Sequence, residues 1–219
     1  MDFGKIGCVR FADAVAETLP LLEKLSSRYN EVNAGTRIAR DAALYDFVSP
    51  ESDVGRLVCS FLPNARPVRA ILFNKTAQNN WALGWHQDRT ICVRERVDTG
   101  GFGPWSTKHG ILHVEPPFEY IEGMITVRLH LDKVSAANAP LLVANGSHRI
   151  GKVAAGDIRS AIAKCPTTTC FAASGDVWLY STPIIHASER SMIDHPRRVL
   201  QVDYSADRLP NGLEWTGIC

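Results

Sequence analysis

The sequence has 219 residues, of which 45% are hydrophobic and 21% are charged, and its formal net charge is +1. These proportions are those of an ordinary globular protein, and the length suits one domain with a sizeable core, which we expect to span 1–219. The mixed charge excludes the basic stripe that is typical of nucleic-acid binders. No apolar run reaches the roughly 18 residues that indicate a membrane span.

The six cysteines indicate a reduced, cytoplasmic protein. They stand at positions 8, 59, 92, 165, 170 and 219, with no CxxC pair and no zinc-finger spacing. The N-terminus lacks the cationic start and apolar run of a secretory signal, so a disulfide framework is not expected. We therefore predict free thiols, and we expect neither nucleic acid nor a membrane as a partner.

The first part of the chain, about 1–65, is predicted to be helical. Residues 12–30 carry apolar side chains at roughly helical spacing, interrupted by Pro20. This pattern predicts one amphipathic helix that is kinked or broken at the proline. A second helix is predicted over 51–62, where Ser49-Pro50-Glu51 suits a helix start and an apolar stripe follows.

The chain changes character after Pro63. Short β-rich runs follow one another, separated by Pro, Gly, Asn and Asp: PVRAILFNKT, MITVRLHLDKV, APLLVAN, GDVWLY and RRVLQVDYSA. The only helical pattern between them is a short one near 155–164, which disfavours a parallel sheet, because parallel strands need crossover connections. The predicted fold class is mainly β, an antiparallel sandwich or barrel over about 66–210 that is preceded by helices.

One long connection is predicted at about 95–118, and it is rich in Gly, Pro and aromatic residues. Loops of this length in a compact domain tend to be lids or binding loops. Phe102 and Trp105 therefore either belong to a lid over a substrate or cap the open end of the barrel.

The most informative motif is the run WHQDR at 85–89. On an extended segment, side chains two apart point to the same face, so His86 and Asp88 can converge on one ion while Gln87 points away or skirts the site. The strongest third ligand is His186, which follows the apolar run GDVWLYSTPII. Two imidazoles and a carboxylate on one face leave three positions open, as in non-haem Fe(II) oxygenases. An HxD tripeptide alone is common by chance.

Arg197 stands eleven positions after His186 (197 − 186) and opens a β-rich run. Its planar, permanently charged guanidinium is well suited to hold one carboxylate of a dicarboxylic acid with two hydrogen bonds. The alternative is that Arg197 and Arg198 form surface salt bridges, which contribute little to stability.

Taken together, these elements resemble the phytanoyl-CoA dioxygenase family of Fe(II)- and 2-oxoglutarate-dependent oxygenases. The resemblance runs from about Arg69 to Asp203, and it rests on ILFNK (71–75), WHQD (85–88), NAPLLVANGSHR (138–149), GD (175–176), HAS (186–188) and the arginine eleven positions after the distal histidine. It implies a double-stranded β-helix, or jelly-roll, that holds Fe(II) on His86, Asp88 and His186. It further implies an enzyme that uses 2-oxoglutarate and O2, with ascorbate as a supporting reductant, to hydroxylate a small organic substrate.

The resemblance also implies the contacts to the co-substrate. Arg197 would anchor the C5 carboxylate of 2-oxoglutarate, although strand alternation groups Arg198 with the more apolar face of its strand and by itself could turn Arg198 inward. Ile71, Asn74 and Gln87 are nominated as further contacts.

Arg128 is a departure, because some relatives carry an aromatic residue at this position. It is either a second cation near the co-substrate or the ion-pair partner of a carboxylate such as Asp132. Related halogenases replace the metal-binding aspartate by a small residue, so the presence of Asp88 disfavours halogenation.

Two other interpretations of function stay open. One is a metal enzyme on the same jelly-roll, such as a cupin-like isomerase, that needs no 2-oxoglutarate. The other is a non-catalytic module that binds a metal or a small molecule. The remaining histidines are predicted to have surface, turn or core positions rather than metal-binding roles: His109, His113, His130, His148 and His195.

Overall fold

A computed structural model describes residues 2–29 and 34–219. In the N-terminal part, helices alternate with two short strands, in the order α1 Phe3–Ile6, β1 Cys8–Phe11, α2 Leu19–Ser26, β2 Gly35–Ile38, α3 Ala42–Val48 and α4 Asp53–Cys59. The rest is mostly strand: β3 Arg66–Lys75, β4 Leu83–His86, β5 Ile91–Val93, β6 Trp105–Lys108, β7 Ile111–Val114, α5 Phe118–Glu122, β8 Met124–His130, β9 Leu141–Ala144, α6 Ile158–Ile162, β10 Thr167–Cys170, β11 Val177–Ser181, β12 His186–Ser188 and β13 Arg197–Ser205.

The strands form three antiparallel sheets. The largest has the order β1-β11-β8-β13-β3-β2, the second has the order β10-β9-β12-β4, and a small third sheet has the order β5-β7-β6. Residues of the two larger sheets line one cavity between them. The predicted mainly β fold, a jelly-roll with N-terminal and flanking helices, is confirmed, and all five β-rich runs of the sequence contain strands.

The two faces of β13 have different surroundings. Leu200, Val202 and Tyr204 belong to the main hydrophobic core, together with Val54 and Val58 of α4. The hydroxyl of Tyr204 donates a hydrogen bond to the Val48 carbonyl at 2.7 Å. The alternating residues Arg197 and Gln201 line the cavity instead. The helices therefore cover the apolar face of the main sheet, and its polar face is available for chemistry.

The helix predicted over 12–30 is shorter than expected. Residues 12–18 form turns, and α2 begins at Leu19. Pro20 lies in the first turn of α2, where the missing N–H is not needed by the helix. The prediction of a longer helix kinked or broken at Pro20 is therefore wrong, and residue 30 of the predicted range lies outside the described residues.

The helix predicted over 51–62 is present as α4, which begins after Ser52, whose hydroxyl accepts a hydrogen bond from the Gly55 N–H at 3.0 Å. The N-terminal part is not purely helical, however. β1 pairs with β11 and β2 pairs with β3, so the segment that precedes residue 66 supplies both edge strands of the main sheet. The short helix expected near 155–164 is also present, as a 3-10 turn followed by α6.

The segment 95–118 is not a single long loop, because β6 and β7 form a hairpin within it that pairs with β5. Phe102 is 9% exposed and packs against Tyr120, with ring centroids 5.5 Å apart. Phe102 and Trp105 pack into a hydrophobic cluster and do not line the cavity. The lid hypothesis is therefore wrong for these two side chains.

All six cysteines are free thiols. Within residues 2–29 and 34–219, the structure contains no helix with the length and apolarity needed to cross a bilayer.

Candidate metal centre and its cavity

His86, Asp88 and His186 come together through strand pairing. His86 is the last residue of β4 and His186 the first of β12, and the two residues are directly paired across the antiparallel ladder. Their ring centroids are 4.3 Å apart. One potential ligand atom from each of the three side chains lies within 4.8 Å of the others. Among the residues that the structure describes, this is the only such group of three or more His, Cys, Asp or Glu side chains.

Both imidazoles are held in the tautomer that a metal requires. Nδ1 of His86 lies 2.8 Å from the Gly84 carbonyl oxygen, and Nδ1 of His186 lies 3.0 Å from the Ile184 carbonyl oxygen. A carbonyl only accepts, so each Nδ1 carries a proton, and Nε2 is the nitrogen of each ring that can bind a metal. Such backbone contacts orient metal-binding histidines.

The charges at the site also suit a divalent cation. Burial, together with the nearby His86, lowers the pKa of His186 to about 4, so its ring is neutral at pH 7. Burial by itself raises the pKa of Asp88, but the neighbouring cations, chiefly Arg69, bring it below its ordinary value. Two imidazoles and one carboxylate are the donor set of non-haem Fe(II) sites with open positions. The residues present therefore fit Fe(II).

Arg69 forms an ion pair with Asp88. The sequence analysis assigned no role to Arg69. Its Nη2 lies 3.5 Å from Asp88 Oδ2, its Nη1 donates to the Thr90 carbonyl at 3.2 Å, and its Nε donates to Asp203. The alternation of side chains along β3 could have indicated this role, because it puts Arg69 on the same face as the nominated Ile71.

Arg197 and Arg198 point to opposite faces of β13. Arg197 is 3% exposed and lines the cavity, where its Nη1 donates to the Ala139 carbonyl and its Nε has no protein partner. Burial, followed by the nearby Arg128, lowers the pKa of Arg197 to about 9. Arg198 instead contacts both carboxylate oxygens of Asp132, at 2.7 and 3.0 Å. Of these two arginines, Arg197 is therefore the one that faces the cavity.

Arg128 also lines the cavity. Its Nη1 donates to Gln201 Oε1 at 3.0 Å, its guanidinium lies 5.3 Å from the centre of the Phe73 ring, and its Nε has no hydrogen-bond partner. The alternative in which Arg128 pairs with Asp132 is wrong, because Asp132 is the partner of Arg198.

The three remaining nominated contacts have different positions. Ile71 lines the cavity. Asn74 is buried on the opposite face of β3 from Ile71 and Phe73 and does not line the cavity, so its nomination is corrected. The Gln87 amide lies at the wall, but Nε2 donates to the Gly151 and Pro183 carbonyls and Oε1 accepts from Val153 N–H. Both of its amide hydrogens are thus used, which removes Gln87 as a donor to a co-substrate.

The cavity has a volume of about 430 Å³ and extends from the metal ligands to residues that the sequence analysis did not nominate. Phe73, Trp81, Leu83 and Leu141 supply apolar wall. Arg37, Arg89, Lys108 and His113 supply polar wall. Arg89 ends the WHQDR run but was given no role, and the other three residues belong to separate strands and form no motif, so the sequence alone did not indicate them.

Solved structures share this fold. EctD from S. alaskensis in its apoform is 15% identical, with a TM-score of 0.62 over 93% of this chain and 74% of EctD. HygX from Streptomyces hygroscopicus with nickel, 2-oxoglutarate and hygromycin B bound is 14% identical, with a TM-score of 0.63 over 93% of this chain and 84% of HygX. AviO1 from Streptomyces viridochromogenes Tue57 is 17% identical, with a TM-score of 0.61 over 95% of this chain and 94% of AviO1.

At these identities the likeness to solved structures establishes the fold. No curated protein matches the sequence. The sequence matches the phytanoyl-CoA dioxygenase (PhyH) family over residues 16–199, which is well over half of the chain. The protein therefore belongs to the phytanoyl-CoA dioxygenase family of Fe(II)- and 2-oxoglutarate-dependent oxygenases.

Proposed function

We propose that the protein binds Fe(II) through His86, Asp88 and His186 and uses it, with 2-oxoglutarate and O2, to hydroxylate a small organic molecule. The observation that carries this proposal is the convergence of two imidazoles and one carboxylate, with their ligand atoms within 4.8 Å of one another. When bound, Fe(II) and 2-oxoglutarate supply the O2 activation that oxidises a C–H bond and releases succinate and CO2.

Arg197 is proposed to bind the far carboxylate of 2-oxoglutarate. It is a buried cation on the cavity wall whose Nε has no partner among the described residues, and an uncompensated buried charge is costly unless a ligand neutralises it. Arg128, whose Nε is also without a partner, adds a second positive charge beside the same ligand. Ile71 and Phe73 cover this part of the cavity with apolar surface, which strengthens the electrostatic contacts by excluding water.

The substrate is proposed to be a small molecule, because about 430 Å³ lies within the range of small-molecule sites. We also propose that the protein works in the cytoplasm, a location supported by the six free thiols.

Binding measurements test the metal and co-substrate assignments separately. Ni(II) is a redox-inert probe for the metal site, and calorimetric titration of 2-oxoglutarate into the Ni(II)-loaded protein measures the second step. We expect His86→Ala to abolish Ni(II) binding. We expect Arg197→Met to weaken 2-oxoglutarate binding by about 2–5 kcal/mol, the usual cost of truncating one partner of a buried charge pair.

Arg198→Met is the matched control, because the adjacent arginine faces away from the cavity and pairs with Asp132. It should leave the affinity for 2-oxoglutarate unchanged. Equal losses in the two arginine variants would contradict the assignment of Arg197. Tight Ni(II) binding without any binding of 2-oxoglutarate would favour a metal enzyme of another class on this fold.

A further inference from the structure

Besides the two cations proposed to hold 2-oxoglutarate, and Arg69, which pairs with Asp88 and Asp203, three cations stand on the cavity wall. Arg37 belongs to β2, Arg89 follows β4, and Lys108 ends β6. None of them takes part in an ion pair within residues 2–29 and 34–219. Three separate elements thus bring positive charge to one cavity without a carboxylate to neutralise it.

Arg37 is held in place by a neutral histidine. Its Nε donates to Nε2 of His113 at 3.3 Å, and Nδ1 of His113 lies 2.9 Å from the Ile111 carbonyl oxygen. His113 is 1% exposed, and burial lowers its pKa to about 4. The ring therefore carries its proton on Nδ1 and accepts from Arg37 through Nε2. The terminal nitrogens of Arg37 have no acceptor among the described residues, which leaves the bidentate end of the guanidinium available to a ligand.

The charge balance of the loaded cavity points to the kind of ligand. Among residues 2–29 and 34–219, Asp88 is the only carboxylate on the wall, and Asp203 neutralises Arg69. The two negative charges of 2-oxoglutarate equal the two positive charges of Arg197 and Arg128. Asp88 offsets one of the two positive charges of a divalent metal. The second charge of the metal and the charges of Arg37, Arg89 and Lys108 stay uncompensated. A bound anion would offset this excess, and a cationic molecule would be repelled.

On the basis of the proposed function, we propose that the substrate carries an oxyanion, either a carboxylate, a sulfate or a phosphate group, that binds to Arg37 with support from Lys108 and Arg89. A guanidinium presents two parallel N–H donors to such a group. The apolar part of the substrate lies against Trp81 and Leu83, which line the same cavity. Lys108 is exposed and attracts the anion from solution.

A pair of nearly isosteric probes tests this inference. Phenylacetate and phenylacetamide share one apolar body and differ in charge, and each is titrated calorimetrically into protein loaded with Ni(II) and saturating 2-oxoglutarate. We expect the wild type to bind phenylacetate tighter than phenylacetamide by about tenfold or more, as one charge-assisted hydrogen bond provides. Arg37→Met should remove most of this preference, and Arg37→Lys should retain part of it.

Lys108→Met provides a second variant at an exposed position that does not disturb the core, and it should reduce the same preference by a smaller factor. Arg56→Met removes an exposed arginine of α4 that lies outside the cavity, and it should leave the preference unchanged. A wild type that binds the acid and the amide equally, or that binds no phenylacetate while holding Ni(II) and 2-oxoglutarate, overturns the inference. So does an undiminished preference in Arg37→Met.

The first titrations separate this inference from the proposed function on which it rests. If the wild type does not bind Ni(II) or 2-oxoglutarate, the proposed function fails before the probe pair is used, and the inference fails with it. If both bind and the probe pair gives a negative result, only the oxyanion inference is lost.

Discussion

Replacing Arg69 by methionine removes the cation that lies between two carboxylates, Asp88 at the metal centre and the fully buried Asp203. Breaking a buried ion pair by removing one partner destabilises a protein by about 3–5 kcal/mol, because an uncompensated charge remains. Asp203 keeps hydrogen bonds from Thr126 Oγ1 at 2.8 Å and Gln201 Nε2 at 3.3 Å. Burial already raises the pKa of Asp203, so it can take up a proton. We therefore expect the free energy of unfolding to fall by about 3 kcal/mol, the lower end of the usual range.

Urea denaturation at pH 7 measures this loss in the free energy of unfolding, and a double-mutant cycle with Asp203→Asn isolates the pair. The double variant should lose less stability than the sum of the losses in the two single variants. Each single substitution leaves one buried charge without its partner, whereas the double substitution removes both charges. Arg69→Met should also weaken Ni(II) binding by roughly 10–100-fold, the usual effect of losing a group that orients a metal ligand. Additive losses, or a loss below about 1 kcal/mol for Arg69→Met, would refute the reasoning.

The other predictions concern pH and packing. The pKa of His113 is about 4 in the folded protein, against an ordinary 6.5 in the unfolded chain, so its contribution to stability is complete above pH 6.5 and is lost as the pH falls towards 4. The loss of stability between pH 6.5 and 4 should therefore be smaller by about 2–3 kcal/mol in His113→Gln than in the wild type, and unchanged in His195→Gln, as pH-dependent urea titrations would show. A Cβ on Gly55 would lie 1.8 Å from a backbone carbonyl oxygen, so Gly55→Ala should lower the melting temperature strongly, whereas Gly156→Ala, which meets nothing within 4 Å, should not. Tyr204→Phe removes the donor to a buried carbonyl and should cost about 1–3 kcal/mol in urea denaturation.

The shared face of His86 and Asp88 was predictable because its determinants are local. The period of two along a strand puts His86 and Asp88 on one face, and the apolar run before His186 indicates a strand that delivers the imidazole near its end. The β-rich runs were predictable for the same reason. The resemblance to a family added the distant partner and the sheet topology, which no local pattern specifies.

The ambiguity between Arg197 and Arg198 and the error at Asn74 both arise from a choice between two faces. On β13 the apolar residues Leu200 and Val202 pack beneath the helices, so the cavity receives the polar side, which carries Arg197. The same choice on β3 puts Asn74 away from the cavity and Phe73 in it. Alternation shows which residues share a face, but only the packing of the helices decides which face is covered.

The amino-acid sequence by itself determined the strands, the shared face of His86 and Asp88 and the reduced state expected of the cysteines, since these depend on neighbours within a few residues or on composition. The tertiary structure decided the surroundings of the ligands. Arg37 and His113 are 76 residues apart and meet only because β2 and the β6–β7 hairpin close on the same cavity. The sequence around a charged side chain does not indicate which distant carboxylate or cavity the side chain will face, because that depends on how the sheets pack.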